Sequence, residues 1–250
     1  MALVWLETFE SYTGTLAAPW TGLSNTAIST TTFKNGVKSL GMGSGGNAAS
    51  ATRAFGSNLS SLTLDFWFWL ASAGGQTNDL LRFSDITGRT GTTGMALKFP
   101  ATGILTVSND NNFGATLFTT TAITRDTWHS MQLVCVCDAT AGSVTLKVDG
   151  ASVGSFTGNT TGTNGGSSNY YNSIVLTAQT IGGSNIEFFV DDFQVSSGVP
   201  AGPGMPKTLN FGERIAFPSP MLVAALAPLA LGRAIRRNRP TTRRGLLRFK

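Results

Sequence analysis

Residues Asp126–Gly150 read DTWHSMQLVCVCDATAGSVTLKVDG, a Trp-His pair followed by alternating apolar residues, a short polar turn containing Gly142, and a second alternating run ending in Asp-Gly. Period-two patterning on both sides of a tight turn predicts a β-hairpin with one buried face. The rest of the chain repeats the theme. Candidate strands recur at Leu62–Leu70, Asp79–Ser84, Met95–Phe99, Ile104–Val107, Ala115–Thr119, Met131–Cys137, Val144–Val148, Ser173–Thr177 and Ile186–Val195, separated by Asn, Asp, Gly and Ser clusters. No helical period of useful length interrupts them, and short strands with this punctuation predict an all-β, two-sheet sandwich or jelly roll. Composition agrees: 30 glycines, 41% apolar residues and only 12% charged suit many short strands and not a helical bundle.

The strand Leu62–Leu70, LTLDFWFWL, presents two distinct faces. Leu62, Leu64, Phe66, Phe68 and Leu70 point one way, and Thr63, Asp65, Trp67 and Trp69 point the other. The first face predicts a core. The second is expected to be covered rather than to form an open aromatic platform, because large aromatics in a central strand are more often core.

The net charge of +5 hides a division. Residues 233–250 hold eight of the 18 basic residues and no acid, which leaves ten bases against 13 acids in 1–232, a net of −3. A mildly acidic body with a basic end predicts an interaction tail, not a basic binding face. Cys135 and Cys137 are two apart on one predicted strand, a poor geometry for a disulfide, and are expected to be small buried hydrophobes. With His129 as the single histidine, no zinc spacing arises. The lack of a disulfide framework favours a reducing compartment. The opening MALVWLETFESY lacks the features of a secretory signal.

Past Val195 the texture changes. Residues 197–214, rich in Pro and Gly, read as a linker. Residues 215–232, IAFPSPMLVAALAPLALG, carry no charge. Ser219-Pro220 would start a helix there and Pro228 would kink it. As a membrane span this run is short. The expected organisation is therefore a jelly roll over 1–196, a linker over 197–214 and an apolar, then Arg-rich, extended or helical arm over 215–250.

Trp128-His129 with Val148-Asp149-Gly150, the strand LTLDFWFWL with its Trp67, and the closing strand IEFFVDDFQV with Val190, Asp191, Asp192 and Phe193 together resemble the landmarks of LamG-like, concanavalin A-like lectin/glucanase domains. The likeness covers roughly residues 5–196. It implies a jelly roll of two antiparallel sheets and leaves function open, since such domains bind glycans, adhere to proteins, hydrolyse glycosides or do none of these. Residue by residue, hydrolysis is not expected. Related glucanases carry an E-x-D-x-(x)-E strand, whereas Glu187 and Asp191 would lie roughly 13 Å apart on one strand face, too far for a retaining pair. The resemblance also makes His129 a structural residue at a strand start. No catalytic residue is assigned, and the expectation is a non-enzyme.

A glycan site, if built, would use Asp110, Asn111, Asn112, Phe113, Tyr170 and Tyr171 in loops at the sheet rim. No cofactor is expected. Asp110 is a candidate calcium ligand, although turn hydrogen bonding accounts for such Asx-rich sequences equally well. Two functional expectations follow. The first is a virion structural or decoration protein, associated with capsid or tail and of bacteriophage type, assembled in the host cytoplasm as a homo-oligomer or multi-copy array. Its arm (Met221, Leu222, Leu226, Leu229 and Leu231, then Arg233, Arg236, Arg237, Arg239, Arg243 and Arg244) would dock on other virion proteins, with the arginines meeting acidic protein, lipid or nucleic acid. The alternative is a carbohydrate-binding, lectin-like protein at a bacterial surface or membrane.

Overall fold

A computed structural model describes residues 1–43, 48–71, 78–84, 93–99, 103–109, 115–161, 169–178 and 187–199. Fifteen strands are found among them: β1 (Ala2–Glu7), β2 (Thr21–Ser24), β3 (Thr26–Ser29), β4 (Ser39–Met42), β5 (Ala49–Leu59), β6 (Ser61–Leu70), β7 (Asn78–Ser84), β8 (Thr93–Phe99), β9 (Ile104–Ser108), β10 (Thr116–Ala122), β11 (Trp128–Val136), β12 (Gly142–Val148), β13 (Ala151–Gly158), β14 (Tyr171–Ala178) and β15 (Phe188–Ser197). They form two antiparallel sheets. Sheet A runs β13-β12-β11-β6-β15-β4-β3, with β1 also paired to β15; sheet B runs β10-β9-β8-β7-β14-β5-β2. The chain crosses between sheets at β1 to β2, β2 to β3, β4 to β5, β5 to β6, β6 to β7, β10 to β11, β13 to β14 and β14 to β15. The expected all-β jelly-roll sandwich is what forms.

The hairpin expected in Asp126–Gly150 is β11 and β12, paired from Met131↔Val148 to Val136↔Ser143. Its turn is tied by Asp138, whose Oδ1 accepts from the Thr140 and Ala141 backbone N–H groups at 2.8 Å each. A second hairpin follows at once: Asp149 (φ 50°) and Gly150 (φ 82°) form a two-residue connection into β13. Positive φ at both positions matches the right-handed twist of the strands, and Asp-Gly tolerates it well.

The core lies between the sheets and follows the period-two pattern. In β12 burial alternates strictly, with Val144, Leu146 and Val148 inside. Phe68 packs between Phe188 of its own sheet and Phe99 of sheet B, both at 5.8 Å between ring centroids. Phe193 stacks on Phe66 at 5.2 Å and on Trp5 at 5.3 Å, so the first and last strands share one aromatic column. Each such fully buried phenyl contributes about 1.5–3 kcal/mol. Cys135 and Cys137 form no disulfide and are buried, as expected of small apolar residues.

Two expectations change. Trp67 and Trp69 are half-buried on the outer face of sheet A instead of covered. Six strands were not expected: β1 to β5 and β13. In β5 and β13 Ala, Ser, Thr and Gly dominate, so apolar alternation is diluted although both strands pair with their neighbours, each with a register shift. The linker beyond Val199 and the arm over 215–250 lie outside the described residues. Among the described residues no helix is long and apolar enough to cross a membrane.

Candidate functional site on the outer face of sheet A

Strand register brings the outward side chains of sheet A into rungs. The first rung reads Trp128–Trp69–Phe189–Gly41–Ala27 across β11, β6, β15, β4 and β3. Phe189 meets Trp69 edge-on at 5.3 Å. Its ring lies over Gly41, where an added Cβ would come within 3.1 Å of it. The second rung is Ser130–Trp67–Asp191. The third is Lys147–Gln132–Asp65–Gln194. Successive rungs on one face are roughly 7 Å apart.

Trp67 presents a ring face and not only an edge, because Lys34 Nζ sits 4.3 Å from its centroid. Lys34 reaches that position from a loop anchored by Asp191. The buried Asp191 accepts from the Lys34 and Asn35 backbone N–H groups at 2.8 and 3.1 Å, and from that of Asp192 at 2.8 Å. Desolvation pushes its carboxyl up to about 6, against the pull of these N–H donors and with a further push from the Asp192 carboxylate.

The third rung holds the unusual chemistry. Gln132, fully buried, donates from Nε2 to Asp65 Oδ1 at 2.8 Å. Asp65 Oδ2 and Gln132 Oε1 are then both buried acceptors without a partner. Burial holds the Asp65 carboxyl above its ordinary range, opposed by the Gln132 amide and by the Lys147 charge. Two orphaned acceptors side by side cost free energy unless a donor meets them. The face as a whole offers aromatic rings for the C–H surface of a ligand, with the Asp65–Gln132 pair buried beside them.

Sheet B differs. Its matching rung is Thr52–Val175–Arg82–Ala96–Ser108, which carries one cation and no aromatic ring, with Ala96 and Ser108 buried.

The sequence-derived candidates fare unevenly. Tyr171 is corrected: it is only 1% exposed, and its hydroxyl donates to the Thr160 carbonyl, so it belongs to the core and not to a rim. Its Cβ direction follows β14, which starts at this residue and turns the ring inward. Neighbouring Tyr170 is half-buried. Asp110, Asn111, Asn112 and Phe113 lie outside the described residues, and with them the calcium candidate. So do Met221, Leu222, Leu226, Leu229, Leu231, Arg233, Arg236, Arg237, Arg239, Arg243 and Arg244. His129 is structural in its contacts: Nε2 donates to the Thr124 carbonyl at 2.8 Å, and Nδ1 lies 2.7 Å from Asp149 Oδ2. Trp128, Asp65 and Gln132 were missed as site residues. The alternation of each strand placed them on an outer face, but only the register makes them neighbours.

No protein-family model and no curated protein sequence matches the chain. Solved structures do. The chain is similar in fold to the alginate lyase Aly36B, at 12% identity and a TM-score of 0.53, over 77% of this chain and 96% of that one. A binding domain of botulinum neurotoxin serotype D/C matches at 9% identity with a TM-score of 0.46 over 65% of this chain. A sialidase matches at 14% identity and 0.46 over 73%. The chain spans only 41% of the toxin domain and 16% of the sialidase. What is shared with the lyase is the β-sandwich fold. At these identities the likeness is one of fold.

Proposed function

We propose that this chain is a glycan-binding, non-catalytic jelly roll that uses the outer face of sheet A. The carrying observation is the set of half-buried indoles on that face, Trp128 beside Trp69 and, one rung on, Trp67 with its ring face presented. A pyranose matches it, because its C–H groups pack on an indole face while its hydroxyls stay hydrogen-bonded at the edge. Lys34, on an exposed loop, is the group a sugar would displace from Trp67. The fold likeness supports the reading, since an alginate lyase Aly36B mutant of similar fold has been solved with an alginate tetrasaccharide. The virion-assembly alternative rests on residues 215–250 and draws no support from the described strands.

A glycan array followed by calorimetry tests the proposal. Hydroxyl-rich oligosaccharides should bind, and Trp67→Ala should weaken binding about tenfold or more, a loss of about 1.4 kcal/mol. Circular dichroism must report the folded sandwich in this variant. An array without hits, or undiminished affinity in folded Trp67→Ala, would sink the reading.

A further inference from the structure

Asp65 and Gln132 stand opposite each other on β6 and β11, joined by one hydrogen bond where a carboxyl and a primary amide can make two. Gln132 Nε2 donates to Asp65 Oδ1 at 2.8 Å. The other oxygen of each group, Asp65 Oδ2 and Gln132 Oε1, is buried and has no partner among the described residues. Both are acceptors, and an ionised carboxylate has no hydrogen to offer. Neither atom exposes surface, so no solvent or ligand reaches them from outside. The donor that fits this space is a proton on the carboxyl itself.

The surroundings favour it. Gln132 on β11 and Gln194 on β15 flank Asp65 without charge, and Gln194 Nε2 is engaged by Ser196 Oγ at 3.2 Å. On its own strand the same-face neighbours are the uncharged Thr63 and Trp67. Asp191, opposite Trp67 in the next rung, is turned to backbone N–H groups. Lys147 on β12, beyond Gln132, acts through its charge and makes no bond to Oδ2. Burial outweighs both that charge and the Gln132 amide, and holds the carboxyl above its ordinary range.

We propose that Asp65 and Gln132 form a proton-dependent latch between β6 and β11, in which Asp65 Oδ2 carries a hydrogen and donates it to Gln132 Oε1. The closed latch is a ring of two parallel hydrogen bonds. Ionisation opens it, leaving one bond and two oxygens in repulsion. The same two strands carry Trp67, Trp69 and Trp128, and the latch acts whether or not that face takes a glycan. Because the folded chain holds this proton more tightly than the unfolded one, the linked stability is present below the ordinary aspartate value and is lost as pH rises through the folded one. Carbon-13 NMR of the Asp65 carboxyl in the full chain, assigned through the backbone, needs no substitution. At about pH 5, above the ordinary aspartate value of about 3.9, its signal should keep the protonated position. Asp65→Asn supplies the second donor at every pH. Its urea midpoint should match the wild type at about pH 4 and exceed it increasingly as pH rises. If that variant fails to fold, the carboxyl signal alone decides. An ionised Asp65 at about pH 5, or a wild type that gains on folded Asp65→Asn as pH rises, would overturn the proposal.

Discussion

Asp191 links the stability of single groups to the site. It lies opposite Trp67 on the outer face, yet its carboxylate is turned to three backbone N–H groups and holds the turn that carries Lys34. Its carboxyl titrates at about 6 in the folded chain against 3.8 for the ordinary group, chiefly because it is desolvated. The folded state therefore holds the proton more tightly than the unfolded one. The stability linked to this group is fully present below pH 4 and is lost as pH rises through 6. Denaturant unfolding of the wild type and of Asp191→Asn between pH 4 and 7 should diverge by on the order of 1–3 kcal/mol, with the wild type losing more on the alkaline side. Parallel pH profiles would show that Asp191 is not the group responsible. Its neighbour Asp192 has φ 45° at a bulge between Asp191 and Gln194, and its Oδ2 accepts from the Asn35 side-chain amide, so both carboxylates hold the same loop.

At the scale of elements, the β11–β12 hairpin is specified locally and sealed by a glycine. Gly142 opens β12 where a Cβ would lie 2.9 Å from the carbonyl oxygens of both Asp138 and Gly158, and closer still to Thr160 Oγ1. Thr160 in turn donates to the Val136 carbonyl at 2.7 Å, closing the hairpin end. Backbone cannot yield as a flexible side chain can, so Gly142→Ala should destabilise by roughly 1–3 kcal/mol. Thermal unfolding checks this, and an unchanged melting temperature would refute it. A similar closeness at Gly154, under the Phe118 ring, brings β13 against β10 of the other sheet. Gly142 is marked in the sequence by its turn, whereas Gly154 does not announce itself among 30 glycines. The alternation of β6 and β12 was legible because large apolar side chains mark every second position. In β5 it was not, because Ala49 and Ala51 fill the core with little hydrophobic contrast to Ser50 and Thr52.

For the whole molecule, closure is long-range: β1 pairs with β15, from Ala2↔Ser197 to Glu7↔Phe193. Among the described residues, both sheets and the buried cluster draw on residues up to Ser197. A chain ending at Val199 should therefore keep a cooperative urea transition and near-ultraviolet dichroism from its packed aromatics, and loss of either would show that the sandwich depends on residues 200–250. The sequence by itself determined the strands with strong alternation, the turns at Asp138–Gly142 and Asp149-Gly150, and hence an all-β sandwich. These are local matters, since side chains alternate by covalent geometry and turns depend on a few φ angles. Tertiary structure alone decided which outward residues stand together: Trp128 beside Trp69, Gln132 beside Asp65, Arg53 under Trp5. Register between distant strands comes from summed packing over the whole core, which no local window contains.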